Sequence, residues 1–296
     1  MQLEFDPGDI LDPGSTGALD ADGAPTRPPR LSPSGASTFQ QCPRRWRFRY
    51  VERLPEPPGL EALVGTFAHR VLELLMQREP PRRSKDEAKR IARAAWPELA
   101  GGEDYRDLEL SDEESREFRW RAWRAIEGLW HLEDPGAVEV EATEEQVSVT
   151  LGHVPFRGVV DRLEREDDGL VVSDYKSGRA PTARHAPERL QQVLLYAAAV
   201  AEETGEQPVR AQLLYLGQRI VATAVTPFEI GEAVGRLEST WSAIADACDV
   251  DDFPARPGPL CGYCAYSEHC PEGQAQNLRR EQQRAAEEEY LERLAG

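Results

Sequence analysis

Lysine is almost absent from this chain of 296 residues. Lys and Arg together number 35, yet only three of them are lysines, namely Lys85, Lys89 and Lys176. No lysine follows a glycine, which excludes the Gly-x-x-x-x-Gly-Lys loop of nucleotide-driven motors from this chain. Because arginine is the cation almost everywhere else, a lysine beside Asp174 indicates a role for a compact ammonium that can lose its proton, which a guanidinium cannot do.

Long apolar runs are also missing. No stretch approaches the roughly 20 apolar residues that span a bilayer, and the acidic first residues, MQLEFDPGDILDPG, lack the basic and then apolar pattern of a secretion signal. We therefore expect a soluble, cytoplasmic protein with no membrane partner. In that reducing compartment the five cysteines favour metal or cluster ligation over disulfides.

Positive charge is scarce as a whole, since the net charge is −18. Binding to nucleic-acid phosphates needs cations, and six arginines without a single acid lie between residues 27 and 50, in a stretch that ends CPRRWRFRY. Because aromatic rings interleaved with arginines can stack on bases, we predict DNA contacts at Arg44, Arg45, Trp46 and Arg47. The alternative is that these arginines only solvate one face of a helix.

What the chain does contain is an acidic pair with a lysine beside it. The segment VPFRGVVDRLEREDDGLVVSDYKSG predicts two strands joined by a turn at 166–169. The first strand carries Asp161, and the second carries Asp174 and Lys176 on one face, because residues i and i+2 of a strand point the same way. Two carboxylates can hold Mg²⁺ or Mn²⁺ while a lysine acts on the attacking water, so the group suits phosphodiester hydrolysis. An ordinary ion pair on a surface hairpin is the alternative.

Three cysteines near the end of the chain have the spacing of a ligand cluster. Cys261, Cys264 and Cys270 follow the pattern Cys-x2-Cys-x5-Cys-Pro, and Gly262 and Pro271 suit a tight coil around a metal. On spacing alone a zinc site is an alternative to an iron–sulfur cluster. Either occupant would make the site structural.

These motifs resemble those of a known family. VVDRLE followed by GLVVSDYKSG is similar to motifs II and III of the PD-(D/E)XK nucleases, in the branch typified by the nuclease domain of RecB. Upstream, GTFAHRVLELL resembles the helix that carries a metal-ligating histidine, here His69. Downstream, LQQVLLYAAAV resembles the Gln-x-x-x-Tyr helix, with Gln192 and Tyr196. Cys42 with the three later cysteines resembles the iron–sulfur pattern of CRISPR-associated RecB-like nucleases, AddAB-type nuclease domains and exonuclease V. The likeness covers roughly residues 31–273.

The resemblance implies a role for each matched residue. The metal ligands that it implies are His69, Asp161, Asp174 and the main-chain carbonyl of Tyr175. Lys176 would act on the water, Gln192 would position that lysine or the DNA, and Tyr196 would contact the substrate backbone. With the two aspartates, Lys176 and Gln192 make up the implied catalytic set. As a nitrogen ligand, His69 would shift the metal preference toward Mn²⁺.

The resemblance also gives the cysteines an occupant. Cys42, Cys261, Cys264 and Cys270 would hold a [4Fe–4S] cluster, with zinc as the less favoured occupant, and would join the first helix to the C-terminal coil. The implied function is a metal-dependent DNA exonuclease of repair or recombination that prefers single-stranded ends, alone or beside a separate helicase. One rival is a catalytically silent DNA-binding or scaffold subunit of a helicase–nuclease complex. Another is a zinc-stapled binding protein without nuclease activity.

The order of predicted elements fits an α/β, restriction-endonuclease-like core, a mixed sheet flanked by helices with helical additions and a cysteine-rich coil. We predict a flexible acidic tail over 1–30, one nuclease domain over 31–273 and a charged helix over 274–296. Within the domain we expect a helical insertion at 78–135 and a catalytic core at 136–225. Predicted helices cover about 34–50, 60–77, 84–97, 112–132, 187–204 and 227–248. Predicted strands cover about 138–150, 156–163, 170–176, 209–216 and 219–225.

Overall fold

The computed structural model describes residues 25–56 and 59–295, which form a mixed five-stranded sheet covered by helices on both faces. The strands lie side by side in chain order: β1 (Glu139–Leu151), β2 (Val154–Glu166), β3 (Gly169–Lys176), β4 (Arg210–Tyr215) and β5 (Arg219–Ala224). Neighbouring strands are antiparallel except β3 and β4, which are parallel. A parallel pair needs a crossover, and helix α7 (Ala186–Thr204) supplies it. The predicted α/β class with a mixed sheet is confirmed.

The helices divide into two layers, one on each face of the sheet. The remaining α-helices of the described ranges are α1 (Pro33–Gln41), α2 (Pro43–Trp46), α3 (Leu60–Met76), α4 (Lys85–Gly101), α5 (Glu103–Arg106), α6 (Asp112–Glu127), α8 (Pro227–Asp249) and α9 (Pro271–Ala295). One apolar core joins α1, α2, α7 and α8 to the sheet. A second core joins α3, α4 and α6 to Tyr175, Leu214 and Leu216 on the opposite face. Residues of β3 therefore contact both layers, which places this strand between them.

The first predicted helix is interrupted in the structure. Ser32 caps α1 by accepting a hydrogen bond from the Gly35 N–H, but the helix stops at Cys42, which is extended at φ −160° and ψ 106°. Pro43 explains the break, because a proline disfavours helical backbone in the residue before it and then suits the first position of a new helix. After α2 the chain makes a π-helical turn over Arg47–Val51. A single helix to about residue 50 was thus wrong.

The boundary of the predicted N-terminal tail also changes. Residues 1–24 of that tail lie outside the described residues. Pro25 and Pro28 are buried, and the Arg27 guanidinium lies 4.6 Å from the ring centre of Trp241 on α8. Leu31 then bonds to the backbone of β2 at Pro155. Residues 25–30 therefore pack against the domain and do not belong to a tail.

In the parts of the chain that the structure describes, no helix is both long enough and apolar enough to cross a membrane.

Candidate active site

The backbone pairing between β2 and β3 ends next to Asp161. The ladder between the two strands ends with Arg162 opposite Ser173, one residue short of Asp161. There Asp161 Oδ2 accepts a hydrogen bond of 2.8 Å from the backbone N–H of Tyr175. The carboxylate replaces a ladder partner, so Asp161 is held against the last residues of β3.

Asp174 and Lys176 pair on the same face of β3, as their spacing predicted. Lys176 Nζ lies 2.8 Å from Asp174 Oδ2, and both residues are buried, with 6% and 1% exposed. From α7, Gln192 Nε2 donates to Asp174 Oδ1 at 3.2 Å and to the Tyr196 hydroxyl at 3.2 Å. The Gln-x-x-x-Tyr face of α7 is therefore in direct contact with the acidic pair.

His69 reaches the same group from α3. Its Nδ1 lies 3.2 Å from Asp161 Oδ2, and the imidazole is 5% exposed. Burial alone would lower the pKa of His69, but the charge of Asp161 and the hydrogen bond to it outweigh burial and raise the pKa to about 9. Without a metal, His69 is therefore an imidazolium that pairs with Asp161.

Tyr175 is fixed from behind by a buried arginine that sequence reasoning missed. Arg162 is 0% exposed and donates to the Tyr175 hydroxyl at 2.9 Å, to Glu164 at 3.0 Å and to both carboxylate oxygens of Glu133. Burial raises the pKa of the Tyr175 phenol. An arginine next to Asp161 in an otherwise buried strand was the available signal, because a buried charge requires partners.

Two glycines allow the helices to approach the strands closely. A Cβ on Gly158 of β2 would lie 2.4 Å from the ring of Tyr196, and a Cβ on Gly65 of α3 would lie 2.9 Å from Ser177 Oγ. Both positions were missed, although an isolated glycine within a strand or helix pattern can indicate such an approach.

A cleft of about 340 Å³ opens at this group of residues. Lys176 and Gln192 line it together with Arg45, Arg49 and Arg189. Residues of α1 form one wall and residues of α7 form the other. The cleft therefore joins Lys176 and Gln192, which both contact Asp174, to arginines from two distant parts of the chain.

Comparison with known proteins decides the family. The family sequence model of the PD-(D/E)XK nuclease superfamily matches residues 30–271. The chain belongs to the PD-(D/E)XK nuclease superfamily. It is thus a phosphodiesterase, and the family implies DNA as its substrate. A solved structure from Eubacterium rectale, named "Putative exonuclease", is similar at 15% identity over 81% of this chain and 87% of that chain, with a TM-score of 0.43. No curated protein matches the chain.

In this nuclease the four residues of the 44–47 segment that were predicted to contact DNA lie in different surroundings. Arg45 lines the cleft, whereas Arg44 donates to the Phe253 carbonyl and Arg47 pairs with Glu52 and Asp251. Trp46 is 0% exposed. Its ring stacks on Tyr50 and Phe253, at 5.6 and 5.8 Å between centroids.

Trp46 therefore belongs to the core, and its prediction as a base-stacking residue was wrong. The reason is that Trp46, Phe48 and Tyr50 are all buried, whereas Arg44, Arg45 and Arg47 of the same segment are only partly buried. Tyr196 is also buried, with 2% exposed, and its ring packs near Phe156. Its hydroxyl accepts a hydrogen bond from Gln192, which lines the cleft, and its contact with the substrate backbone stays a prediction.

The four predicted cluster cysteines of the nuclease line one cavity of about 170 Å³. Three of their sulfur atoms accept backbone N–H groups: Cys42 from Arg256 at 3.5 Å, Cys261 from Gly258 at 3.4 Å and Cys270 from Gly273 at 3.3 Å. In the described part of the chain all five cysteines are free, and the fifth, Cys248, is buried within α8.

The donor sets of the nuclease suit the implied metals by their chemistry. Across residues 25–56 and 59–295, however, no group of three or more His, Cys, Asp or Glu side chains is arranged to hold a metal ion. At the acidic pair each candidate carboxylate instead pairs with a neighbouring cation, Asp161 with His69 and Asp174 with Lys176. PD-(D/E)XK nucleases generally use Mg²⁺ or Mn²⁺, and carboxylate oxygens with one imidazole are ligands that these ions accept.

Proposed function

We propose that the protein is a metal-dependent DNA exonuclease that prefers single-stranded ends and works in DNA repair or recombination. The observation that carries the proposal is the cleft, in which Lys176 and Gln192 lie together with three arginines from α2, the π-helical turn and α7. A recess walled by helices on both sides suits a strand whose bases are unpaired, because a duplex needs an open groove.

Two of the three arginines of the cleft are set in place before any substrate arrives. Arg45 Nη2 lies 2.7 Å and Arg49 Nε 3.3 Å from the carboxylate of Glu56. The Tyr266 hydroxyl donates to the same carboxylate at 2.9 Å. A guanidinium retains further donors when it shares one carboxylate, so both arginines can bind phosphate as well. Ordering them in advance lowers the entropy cost of binding a strand.

His69, Asp161, Asp174 and the Tyr175 carbonyl are the proposed ligands of Mg²⁺ or Mn²⁺, which when bound supplies a Lewis acid for the phosphoryl group. The rest of the chemistry belongs to the protein. Lys176, buried and 2.8 Å from Asp174, orients the attacking water and stabilises negative charge on the phosphate. Gln192 fixes Asp174 from α7.

We further propose that Cys42, Cys261, Cys264 and Cys270 hold a [4Fe–4S] cluster. Support comes from the shared cavity and from the three N–H groups directed at sulfur, since hydrogen bonds to the sulfur atoms are typical of such clusters. Zinc is the alternative occupant. Gln41, Arg45 and Leu260 line both this cavity and the cleft, so the occupant would hold one wall of the cleft.

A digest of end-labelled DNA tests the activity. With Mg²⁺ or Mn²⁺ we expect linear single strands to shorten faster than duplexes, circular single strands to survive, and EDTA to stop the reaction. Asp174→Ala and Lys176→Ala should lower the rate by about 10²–10⁴-fold. If cleavage persists in both variants, the proposed site is wrong.

Lys85→Ala is the matched control for Lys176→Ala. Lys85 is another of the three lysines and pairs with Glu127 in the insertion, so its loss should leave the rate unchanged. Purified protein that binds single strands but never cuts them would instead favour a silent DNA-binding subunit.

A further inference from the structure

A basic and aromatic groove lies in the helical insertion, between α4 and α6. The groove has a volume of about 250 Å³ and is lined by Lys89, Arg93, Arg119, Trp96, Trp123 and Phe67. Among its lining residues, all within the described ranges, there is no carboxylate. Three cations without an acid are unusual in a chain with a net charge of −18.

Helical periodicity explains how the groove forms. Lys89, Arg93 and Trp96 follow one another by four and three residues on α4, and Arg119 and Trp123 are four apart on α6, so each set lies on one face. Lys89 Nζ is 5.3 Å from the ring centre of Trp123, and Arg119 Cζ is 5.3 Å from that of Trp96. Each indole thus carries a cation from the facing helix at cation–π distance.

The groove is separate from the catalytic centre. Phe67 lines the groove, whereas His69 on the same helix contacts Asp161. Two residues span about 200° of a helix, so the two sites lie on opposite sides of α3. Within the described residues the groove and the cleft share no lining residue. Catalysis therefore does not account for the tryptophans and cations of the insertion.

The composition of the groove selects its ligand. A flat apolar surface edged by cations fits a nucleotide, because an indole can stack on a base while the cations bind its phosphates. Lys89 has one long ion pair of 3.8 Å, with Asp86, whose side chain is 96% exposed and weakly held. Nearby, Trp120 is 53% exposed and Arg124 lies 5.0 Å from its ring centre, which extends the same chemistry along α6.

We propose that the groove binds a nucleotide of the single-stranded DNA substrate, outside the cleft, and so anchors the strand while its end is cut. Trp123 takes the base on the ring face that Lys89 covers in the free protein, whereas Trp96 packs against Phe67, Tyr105 and Phe118 and supports the groove. The displaced Lys89, together with Arg93 and Arg119, takes the flanking phosphates. The assignment rests on the proposed function for its choice of DNA. It predicts that strands long enough to pass around α3 bind more tightly than short ones.

Binding of labelled oligothymidylates of about 6 and 30 nucleotides, in EDTA so that nothing is cut, tests the groove. Arg93→Gln and Arg119→Gln should each weaken binding of the long strand by several-fold and lower the salt slope by about 0.7. Trp123→Leu should weaken it by roughly 5- to 100-fold. Binding of the short strand should be unchanged. Arg90→Gln and Arg116→Gln, exposed arginines of the same two helices that do not line the groove, should behave as wild type.

Two results would overturn the groove. One is unchanged affinity for both strands in all three groove variants, as expected of a face that docks a protein. The other comes from thymidine monophosphate, used as a third ligand. If the groove variants no longer bind it but still bind the long strand as the wild type does, the groove is a site for free nucleotides. If the protein cuts DNA in the end-labelled digest but the groove variants bind the long strand as the wild type does, only the groove proposal is rejected. If the groove variants bind the long strand more weakly but the protein never cuts DNA, only the proposed exonuclease is rejected.

Discussion

At the scale of single residues, the acidic pair is joined to two cations of different kinds. Lys176 contacts Asp174, and His69 contacts Asp161. All four side chains are nearly inaccessible, so each carboxylate depends on its partner for neutralisation. A metal that binds here must displace at least part of this pairing, and His69 must lose its proton to serve as a ligand.

The charge of His69 makes the stability of the metal-free protein depend on pH. The pKa of His69 is raised from 6.5 to about 9. A group whose pKa is raised by folding stabilises the protein fully below its unfolded pKa and loses that contribution as pH rises through the folded one. In EDTA, the free energy of unfolding should therefore fall between about pH 6.5 and 9, by on the order of 3 kcal/mol.

The measurement is urea unfolding at several pH values for the wild type and for His69→Gln. The difference between the two isolates the histidine from other groups that titrate in this range. A difference that stays constant from pH 6 to pH 9 would show that folding does not shift the pKa of His69.

At the scale of elements, the β2–β3 hairpin relies on the arginine behind it. Arg162 is enclosed completely, and Glu164, its neighbour at 3.0 Å, is 3% exposed. Removing one partner of a buried pair leaves an uncompensated charge, which typically costs about 3–5 kcal/mol. We expect Arg162→Met to lower the free energy of unfolding by that amount and to loosen Tyr175.

The double variant Arg162→Met/Glu164→Met provides the control, because it removes the more deeply buried carboxylate together with its cation and leaves only Glu133, whose side chain is 15% exposed. Urea unfolding should therefore show the double variant to be more stable than the single one. A single variant within about 1 kcal/mol of wild type would mean that the arginine does little to hold the hairpin.

Elements with a strong local pattern were predictable, and contacts between distant elements were not. Every strand of the sheet was predicted within about three residues, because alternation and turn residues are local signals. The break at Cys42 was missed although Pro43 signalled it. A buried charge at Arg162 could have been predicted, but its partners and those of the insertion groove could not, since they come from other elements of the chain. For Trp46, the sequence showed an aromatic residue among arginines but not the direction of its ring.

At the scale of the whole molecule, the cysteine cavity connects the two ends of the described chain. Cys42 follows α1, and its partners lie in the coil that leads into α9. Tyr266 of that coil holds Glu56, and Glu56 holds Arg45 and Arg49 in the cleft. Cluster occupancy and strand binding are therefore expected to be linked through one wall of the cleft.

Two cysteine variants test this arrangement. Cys264→Ala removes a proposed cluster ligand, and Cys248→Ala is the control because it removes a cysteine that is not a proposed ligand. Cys248 is buried within α8 and does not line the cysteine cavity, so it should not bind the occupant of that cavity. Closing a loop of more than 100 residues can stabilise a fold by on the order of 5 kcal/mol. Cys264→Ala, purified without oxygen, should therefore lose its iron and visible absorbance, unfold at lower urea concentration, and bind single strands more weakly. Cys248→Ala should keep its iron and its DNA affinity.

A colourless wild type that contains zinc would reject the iron–sulfur cluster, and a Cys264→Ala variant with unchanged stability would reject the cross-link itself.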